Sequence, residues 1–291
     1  MGFVDLHVHS NASDGTLSPS EVVALALSKG LGAIALTDHD TVDGLEEAIK
    51  AARGTSLTLV PGIEMSCVVE TPLSAEIHIL GLFLDKDNPA LLQGLTDIRR
   101  IRDDRNHSML QKLQEDGIGI TWEDLTGGNP DTIITRAHFA RALTEKGITA
   151  SHKQAFDQYL KYGGRYCVRK EITTPERVME ILTSSGAFPI LAHPMQYHMG
   201  YAQIEELAVR LKALGLRGIE VYHSSHNQLQ SRKLKEMAKR LNLLPSGGSD
   251  FHGGNKPDID IGRGRGGLLI SHLPLNDIKE AHIHGRTVSN D

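Results

Sequence analysis

The fold is decided by one stretch near the start of the chain, Asp5-Leu6-His7-Val8-His9-Ser10-Asn11-Ala12-Ser13-Asp14-Gly15. The apolar run from Phe3 to Leu6 predicts a short buried strand, and His7 and His9 stand at its end. Side chains alternate along an extended chain, so both imidazoles project from the same face. Two adjacent imidazoles form half of a divalent metal site, and Asp14 can fold back as an oxygen ligand.

Similar side chains recur where later predicted strands end. A single His-x-His pair is more often a pair of surface histidines, but chance placement of the whole set is much less plausible. The candidate metal ligands are His7, His9, Asp14, His39, Glu64, His78, His193, Asp250 and His252. His78 alone lies within its strand, where an ordinary structural histidine is an equal alternative.

Strands alternate with helices over most of the sequence. Helices begin at capping motifs such as Ser18-Pro19-Ser20-Glu21 and end at glycines such as Gly30. This alternation favours an α/β fold with a parallel sheet, closed as a barrel of about seven strand–helix units. The carboxyl ends of parallel strands gather on one face of a barrel, so most of the candidate ligands would converge there.

A purely helical stretch interrupts this alternation. A long helical pattern covers residues 91–117, and shorter ones cover about 136–146 and 152–161. We therefore expect a barrel built from residues 1–90 and 172–291, with residues 91–171 as an all-helical insertion that caps the substrate site. The arginines between Arg99 and Arg105 are expected on a solvated helix face.

Composition excludes several classes of protein. A formal net charge of −5 argues against a stable nucleic-acid partner held on a broad basic face. No run of about 18 uncharged apolar residues is present, so no membrane association is expected. The chain has only two cysteines, Cys67 and Cys167, and no visible secretory signal. A cytoplasmic location with reduced thiols is therefore expected.

The candidate ligands are imidazoles and carboxylates without sulfur, which suits divalent manganese first, with iron or zinc as alternatives. They are too many for one ion, and three ions would bring more positive charge than Asp14, Glu64 and Asp250 can neutralise. The surplus charge would attract phosphate. We therefore expect a hydrolytic site, in which a hydroxide bridging two ions attacks phosphorus.

The ordered motif set resembles that of the polymerase-and-histidinol-phosphatase (PHP) superfamily. The motifs are His7-x-His9, Asp38-His39, Glu64, His78, His193-Pro194 and Asp250-x-His252. The resemblance implies a distorted seven-stranded barrel and phosphoester hydrolysis, with His193, Glu64 and Asp250 as catalytic residues. It implies one ion held by His7, His9, Glu64 and Asp250, a second by Glu64, His78 and His193, and a third by Asp14, His39 and His252.

Substrate choice is expected to come from the insertion. Arg136, in the first turn of a predicted helix, could hold a second phosphate or be a solvated helix arginine. The motif Thr135-Arg136-x-His138, with Arg165-Tyr166 further along, resembles the bacterial TrpH/YciV-like branch of the superfamily. That branch implies removal of the 3′-phosphate of nucleoside 3′,5′-bisphosphates, and 5′-to-3′ trimming of short RNA. The candidate substrate-binding residues are Thr135, Arg136, His138, Arg169 and His223.

Three other functions stay open at the level of sequence. One is a phosphomonoesterase of the histidinol-phosphate type, and another is a metal-binding scaffold without catalysis. The third is an amidohydrolase, which also uses His-x-His in a barrel. Amidohydrolases usually bridge their metals through a modified lysine, but no lysine stands at a strand end here, and Glu64 would bridge instead.

Overall fold

A computed structural model describes residues 2–70, 75–128, 132–161, 164–166 and 173–288. In this part of the chain, strands form one sheet whose spatial order follows the sequence. The strands are β1 (Val4–Val8), β2 (Ala33–Leu36), β3 (Thr58–Val69), β4 (Ala75–Leu82), β5 (Phe188–Leu191), β6 (Gly218–His223) and β7 (Leu244–Gly248).

Helices surround the sheet and form the insertion. They are α1 (Pro19–Ser28), α2 (Leu45–Ala52), α3 (Pro89–Glu115), α4 (Trp122–Thr126), α5 (Arg136–Glu145), α6 (His152–Ala155), α7 (Pro175–Ser184), α8 (Tyr201–Ala213), α9 (Gln228–Arg240) and α10 (Leu273–Val288). A π-helical turn, Phe156–Leu160, follows α6. Among the described residues, no helix has the length and apolar character needed to cross a bilayer. Cys67 is a buried free thiol, and Cys167 lies outside the described residues.

Main-chain hydrogen bonds close the sheet beside the candidate ligands. The N–H of Asp250 donates to the carbonyl of His7 (2.9 Å), and the N–H of His9 donates to the carbonyl of Phe251 (3.0 Å). The end of β1 is thus joined to the segment that follows β7. The expected distorted seven-stranded α/β barrel is confirmed.

The expectation of an all-parallel sheet is wrong at β4. This strand runs antiparallel to both β3 and β5, whereas the other neighbouring strands are parallel. β4 begins a few residues after β3 ends, which is too short a connection for a crossover helix. As a result Glu64 lies inside the long strand β3 rather than after it, and His78 lies in the first half of β4.

The insertion has an apolar cluster of its own. Met109, Leu113, Phe139, Leu143 and Leu160 are fully buried against one another, apart from the barrel clusters. The first half of α3, by contrast, packs its apolar side chains into the main barrel cluster. A separate unit covering residues 91–171 stays a prediction, and its second boundary lies outside the described residues.

Candidate metal centre

The end of β1 is rigidly held before its imidazoles emerge. Asp5, fully buried, accepts hydrogen bonds from the main-chain N–H groups of Ser249 (2.8 Å) and Gly262 (2.7 Å). His7 and His9 follow on the same strand and are also fully buried, with their Nε2 atoms 3.1 Å apart. The spacing of two residues therefore does bring both imidazoles to one face.

Glu64 lies at the centre of the cluster. Its Oε2 atom is 3.2 Å from His7 Nε2 and 3.1 Å from His9 Nε2. Its Oε1 atom is 2.8 Å from His78 Nδ1 and 2.9 Å from His193 Nε2. One carboxylate thus faces two pairs of imidazoles through its two oxygens, which is the arrangement expected of a ligand shared between two ions.

Asp14 forms the centre of a second group. Its Oδ1 atom is 3.1 Å from His252 Nε2 and 3.8 Å from His9 Nδ1, and its Oδ2 atom is 3.9 Å from His39 Nε2. Asp38 fixes the loop that carries Asp14. It accepts from the N–H and Oγ of Ser10 and from Ser13 Oγ, at 2.6 to 2.8 Å.

Asp250, which follows β7, lies beside His7 and His9. Its Oδ1 atom is 3.7 Å from His7 Nε2 and 3.5 Å from His9 Nε2, while Lys256 Nζ lies 2.7 Å from its Oδ2. Asp250 has a φ of 60°, and His193 has a φ of 20°, both unusual for residues other than glycine. Such backbone strain concentrates at functional sites, where surrounding contacts hold it in place.

The cluster as built fits divalent metal ions. Several of its buried atoms have no hydrogen-bond partner among the described residues: His9 Nδ1, His39 Nδ1, His193 Nδ1 and Glu64 Oε2. Unpaired buried polar atoms are costly, so a site that contains several of them needs another partner. Imidazole nitrogens and carboxylate oxygens gathered within 4.8 Å of one another provide ligands for such ions.

Glu220, which was not among the predicted site residues, contacts the His7 imidazole and the main chain of His193. Its Oε1 atom lies 3.2 Å from His7 Nδ1, and its Oε2 accepts from the N–H of His193 (2.7 Å). Burial alone would raise the pKa of Glu220, but His7 and His223 lower it to about 2. When a metal ion is bound, a neutral His7 that keeps its proton on Nδ1, beside Glu220, would present the Nε2 lone pair to the ion. The feature of the sequence that could have identified this residue is a glutamate within the apolar run of β6.

A cavity of about 310 Å³ adjoins the cluster and extends under the insertion. Its walls combine the candidate ligands with cationic side chains. The ligands in the wall are Asp14, His39, His78 and His252, and the cations are Arg102, Arg105, Arg136 and Lys256. The cavity is therefore suited to an anionic molecule that also reaches the cluster.

Arg136 is connected to the cluster through Glu76. Its Nη2 atom is 3.1 Å from Glu76 Oε2, and Glu76 Oε1 is 3.6 Å from His78 Nε2. Burial would raise the pKa of Glu76, but Arg136 and then His78 hold it well below its usual range. Glu76 is thus ionised, and it links the first turn of α5 to an imidazole beside Glu64.

The expectation of a solvated arginine face on α3 is wrong for Arg102. This side chain is buried, forms an ion pair with Asp40 and donates to Ser66 Oγ (3.3 Å). Burial, followed by repulsion from Arg105, lowers its pKa to about 9. Asp40 follows His39 directly and has a φ of 51°, so Arg102 fixes the loop beside a candidate ligand.

The other predicted substrate-binding residues take different places. Thr135 lines the cavity, and its Oγ1 donates to Asp14 Oδ2 (3.0 Å). His138 does not line the cavity, and its Nδ1 accepts from the N–H of Thr135 (3.0 Å). His223 is buried, with Nε2 3.5 Å from Asp250 Oδ2. Arg169 lies outside the described residues.

Comparison with known proteins identifies the family. The family model for the PHP domain matches residues 5–175. A 5′-3′ exoribonuclease of Haemophilus influenzae is 37% identical over 85% of this chain and 89% of its own length. A 3′,5′-nucleoside bisphosphate phosphatase of Chromobacterium violaceum is 35% identical over 90% of this chain and 91% of its own.

A solved structure from Chromobacterium violaceum is similar along nearly the whole fold. It is described as an amidohydrolase with bound sulfate and no metal, and it has a TM-score of 0.85 at 33% identity. The match covers 97% of each chain. Together with the cluster, these similarities show that the chain belongs to the PHP-domain family and is a metal-dependent phosphoesterase.

Proposed function

We propose that this enzyme removes the 3′-phosphate of nucleoside 3′,5′-bisphosphates, which leaves the nucleoside 5′-monophosphate, and that it also trims short RNA from the 5′ end. The activities named for the two relatives above support both reactions. One observation carries the proposal. A single cavity has candidate metal ligands in one part of its wall and arginines of the insertion in another. A small substrate with two phosphates suits such a cavity, since one phosphate would lie at the candidate ligands and the other at the arginines.

We propose three divalent ions, manganese in the first place, held by the three ligand groups that the family resemblance implies. The first group is His7, His9, Glu64 and Asp250; the second is Glu64, His78 and His193; the third is Asp14, His39 and His252. The unpartnered buried atoms of the cluster support such occupancy. When bound, the ions would polarise the phosphoryl group and lower the pKa of water.

The side chains of this chain divide the remaining work. Glu64, His193 and Asp250 border the proposed position of the reacting phosphorus, and we assign them catalytic roles. Hydrolysis adds the oxygen of water to phosphorus and breaks the bond from phosphorus to O3′, and the leaving 3′-oxygen takes up a proton to become the 3′-hydroxyl. Arg136, kept in place by Glu76, would hold the 5′-phosphate, which is not hydrolysed.

Phosphate release from adenosine 3′,5′-bisphosphate, with added manganese, tests this proposal against 3′-AMP and 5′-AMP as reference substrates. A strong preference for the bisphosphate, with 5′-AMP as the product, is the expected result. Comparable rates on all three substrates would contradict a second phosphate site. A preference for histidinol phosphate would instead favour the alternative phosphomonoesterase.

A further inference from the structure

A second depression lies beside the metal cluster and shares no wall residue with the cavity under α5. It has a volume of about 710 Å³. The depression runs from His223, at the end of β6, along the start of α9 to the loop at residues 265–269, and we refer to it as the β6–α9 groove.

The β6–α9 groove is basic although the whole chain has a formal net charge of −5. Arg232, Lys235 and Arg265 line it, and no carboxylate does. Arg265 is paired with Asp258 (2.7 Å), whereas neither Arg232 nor Lys235 forms an ion pair with any described residue. Two cations three residues apart on α9 therefore face the same side of the helix without a partner.

The groove reaches to within one side chain of the cluster. His223 lines it and is buried, and its Nε2 atom lies 3.5 Å from Asp250 Oδ2. His226 also lines the groove, with its ring 5.2 Å from that of His223. The Nε2 atom of His226 is buried and has no hydrogen-bond partner among the described residues, whereas that of His223 faces Asp250. An unpartnered polar atom thus stands in the wall of a cationic groove.

We propose that the β6–α9 groove binds the ribose–phosphate backbone of short single-stranded RNA on the 3′ side of the cleaved bond. This inference rests on the proposed function, in which the 5′-terminal nucleotide occupies the cavity and the next phosphate lies at the cluster. The remaining nucleotides then need a path away from the cluster. The groove starts beside Asp250 and presents cations at the spacing of successive helical turns, which suits phosphates.

A nucleoside 3′,5′-bisphosphate ends at the phosphate on the cluster, so it does not extend into the groove. The groove therefore distinguishes oligonucleotides from mononucleotides. The double variant Arg232→Ala/Lys235→Ala should lower kcat/KM for a 5′-phosphorylated hexaribonucleotide by roughly 10-fold, with kcat/KM for adenosine 3′,5′-bisphosphate as the internal reference. Two lost phosphate contacts should also reduce the salt dependence, with a slope of log affinity against log salt that is smaller by about 1.4.

The matched control is Lys233→Ala/Arg240→Ala, which removes the same charge from the same helix. Both side chains face α8, since Lys233 Nζ lies 4.5 Å from the ring of Tyr201 and Arg240 pairs with Glu205 (2.9 Å). The control should hydrolyse the hexaribonucleotide as the unmodified enzyme does. An equal loss on both substrates in the groove variant, or no loss on the hexaribonucleotide, would overturn the inference.

Direct binding separates this inference from the proposed function. Fluorescence anisotropy would follow a 3′-fluorescein hexaribonucleotide, with a phosphorothioate at its first linkage, on the metal-loaded enzyme. The groove variant should bind roughly 10-fold more weakly than the control. Equal affinities of the groove variant and the control would refute RNA binding in the β6–α9 groove, whatever substrates the enzyme hydrolyses. Absence of hydrolysis in the unmodified enzyme would instead refute the proposed function.

Discussion

Glu220 acts on the cluster through hydrogen bonds to its neighbours rather than as one of the proposed ligands. It accepts from the N–H of His193 and lies 3.2 Å from His7 Nδ1, and it is fully buried. Partners of this kind fix the orientation and basicity of a metal-binding imidazole. The side chain is thus a positioning residue, and its removal should affect the metal rather than the substrate.

Glu220→Gln should weaken metal binding by roughly 10- to 100-fold, because the neutral amide holds the His7 Nδ1 proton less strongly. Metal titration followed by elemental analysis measures this loss directly. The matched control is Glu206→Gln, at an exposed position of α8, which should retain full metal content. Full metal content in Glu220→Gln would show that the carboxylate is not needed.

Arg136→Ala should raise KM for doubly phosphorylated substrates by roughly 10- to 100-fold, because charge-assisted hydrogen bonds to one phosphate are lost. The KM for 3′-AMP should change little. Arg136→Lys should recover part of the affinity, since lysine restores the positive charge but not the two parallel hydrogen bonds of a planar guanidinium. An equal loss on 3′-AMP and on adenosine 3′,5′-bisphosphate would show that Arg136 does not hold the second phosphate.

The sequence was informative about individual residues where their role follows from local spacing. His7 and His9 lie two residues apart on a strand, and this spacing alone places both imidazoles on one side. The roles of Glu220 and Arg102 depend on contacts with residues far away in the chain. A buried arginine in a helix rich in arginine has no distinguishing local pattern, so the ion pair with Asp40 could not be foreseen.

At the scale of elements, α5 connects the insertion to the cluster through its first turn. Thr135 caps the helix, donates to Asp14 and receives the reciprocal capping contact from His138. Burial, with a smaller effect of Arg141, lowers the pKa of His138 to about 4 from its ordinary value of 6.5. The capping contact therefore requires a neutral imidazole.

The sign of the pH effect follows from that lowered pKa. Between pH 6.5 and pH 4 the unfolded chain binds a proton at His138 that the folded chain does not bind. The contribution of His138 to the free energy of unfolding is therefore fully present above pH 6.5 and is lost as the pH falls towards 4. His138→Gln retains an acceptor at the same helix position and does not titrate. Urea unfolding at pH 7 and pH 5 should therefore show a smaller loss of stability in this variant than in the unmodified protein. Equal losses in the two proteins would show that His138 does not contribute to the loss of stability at low pH.

Strand β4 marks the limit of element prediction from this sequence. The apolar run Ile77 to Leu80 predicts a strand, and the strand is present. Its direction depends on whether the preceding connection is a crossover or a hairpin, and the extension of β3 to Val69 leaves room only for a hairpin. The apolar run from Leu57 to Val60 predicts a strand only to Val60, whereas β3 continues to Val69 because it changes partner from β2 to β4 at Gly62.

At the scale of the whole molecule, the cluster gathers ligands from distant parts of the barrel. Without metal, buried carboxylates and imidazoles lie close together, and several of their atoms lack hydrogen-bond partners in the part of the chain that the structure describes. Ligands that bind only the folded state stabilise it by about 2.7 kcal/mol at 100 times their Kd. Removal of metal by a chelator should thus lower Tm by about 5 °C or more.

Differential scanning calorimetry with and without chelator measures this shift. Glu64→Gln, which impairs the proposed shared ligand, should show a much smaller response to chelator than the unmodified protein. Re-addition of manganese should restore Tm in the unmodified protein only. An identical Tm before and after chelation would contradict a structural contribution of metal.

The bond from the Asp250 N–H to the His7 carbonyl joins residues from nearly opposite ends of the sequence. A nascent polypeptide on the ribosome holds His7 and His9 from the start, yet it lacks Asp250 and His252 until β7 has emerged from the exit tunnel. The proposed metal sites therefore cannot be completed during translation until the last strand docks beside the first.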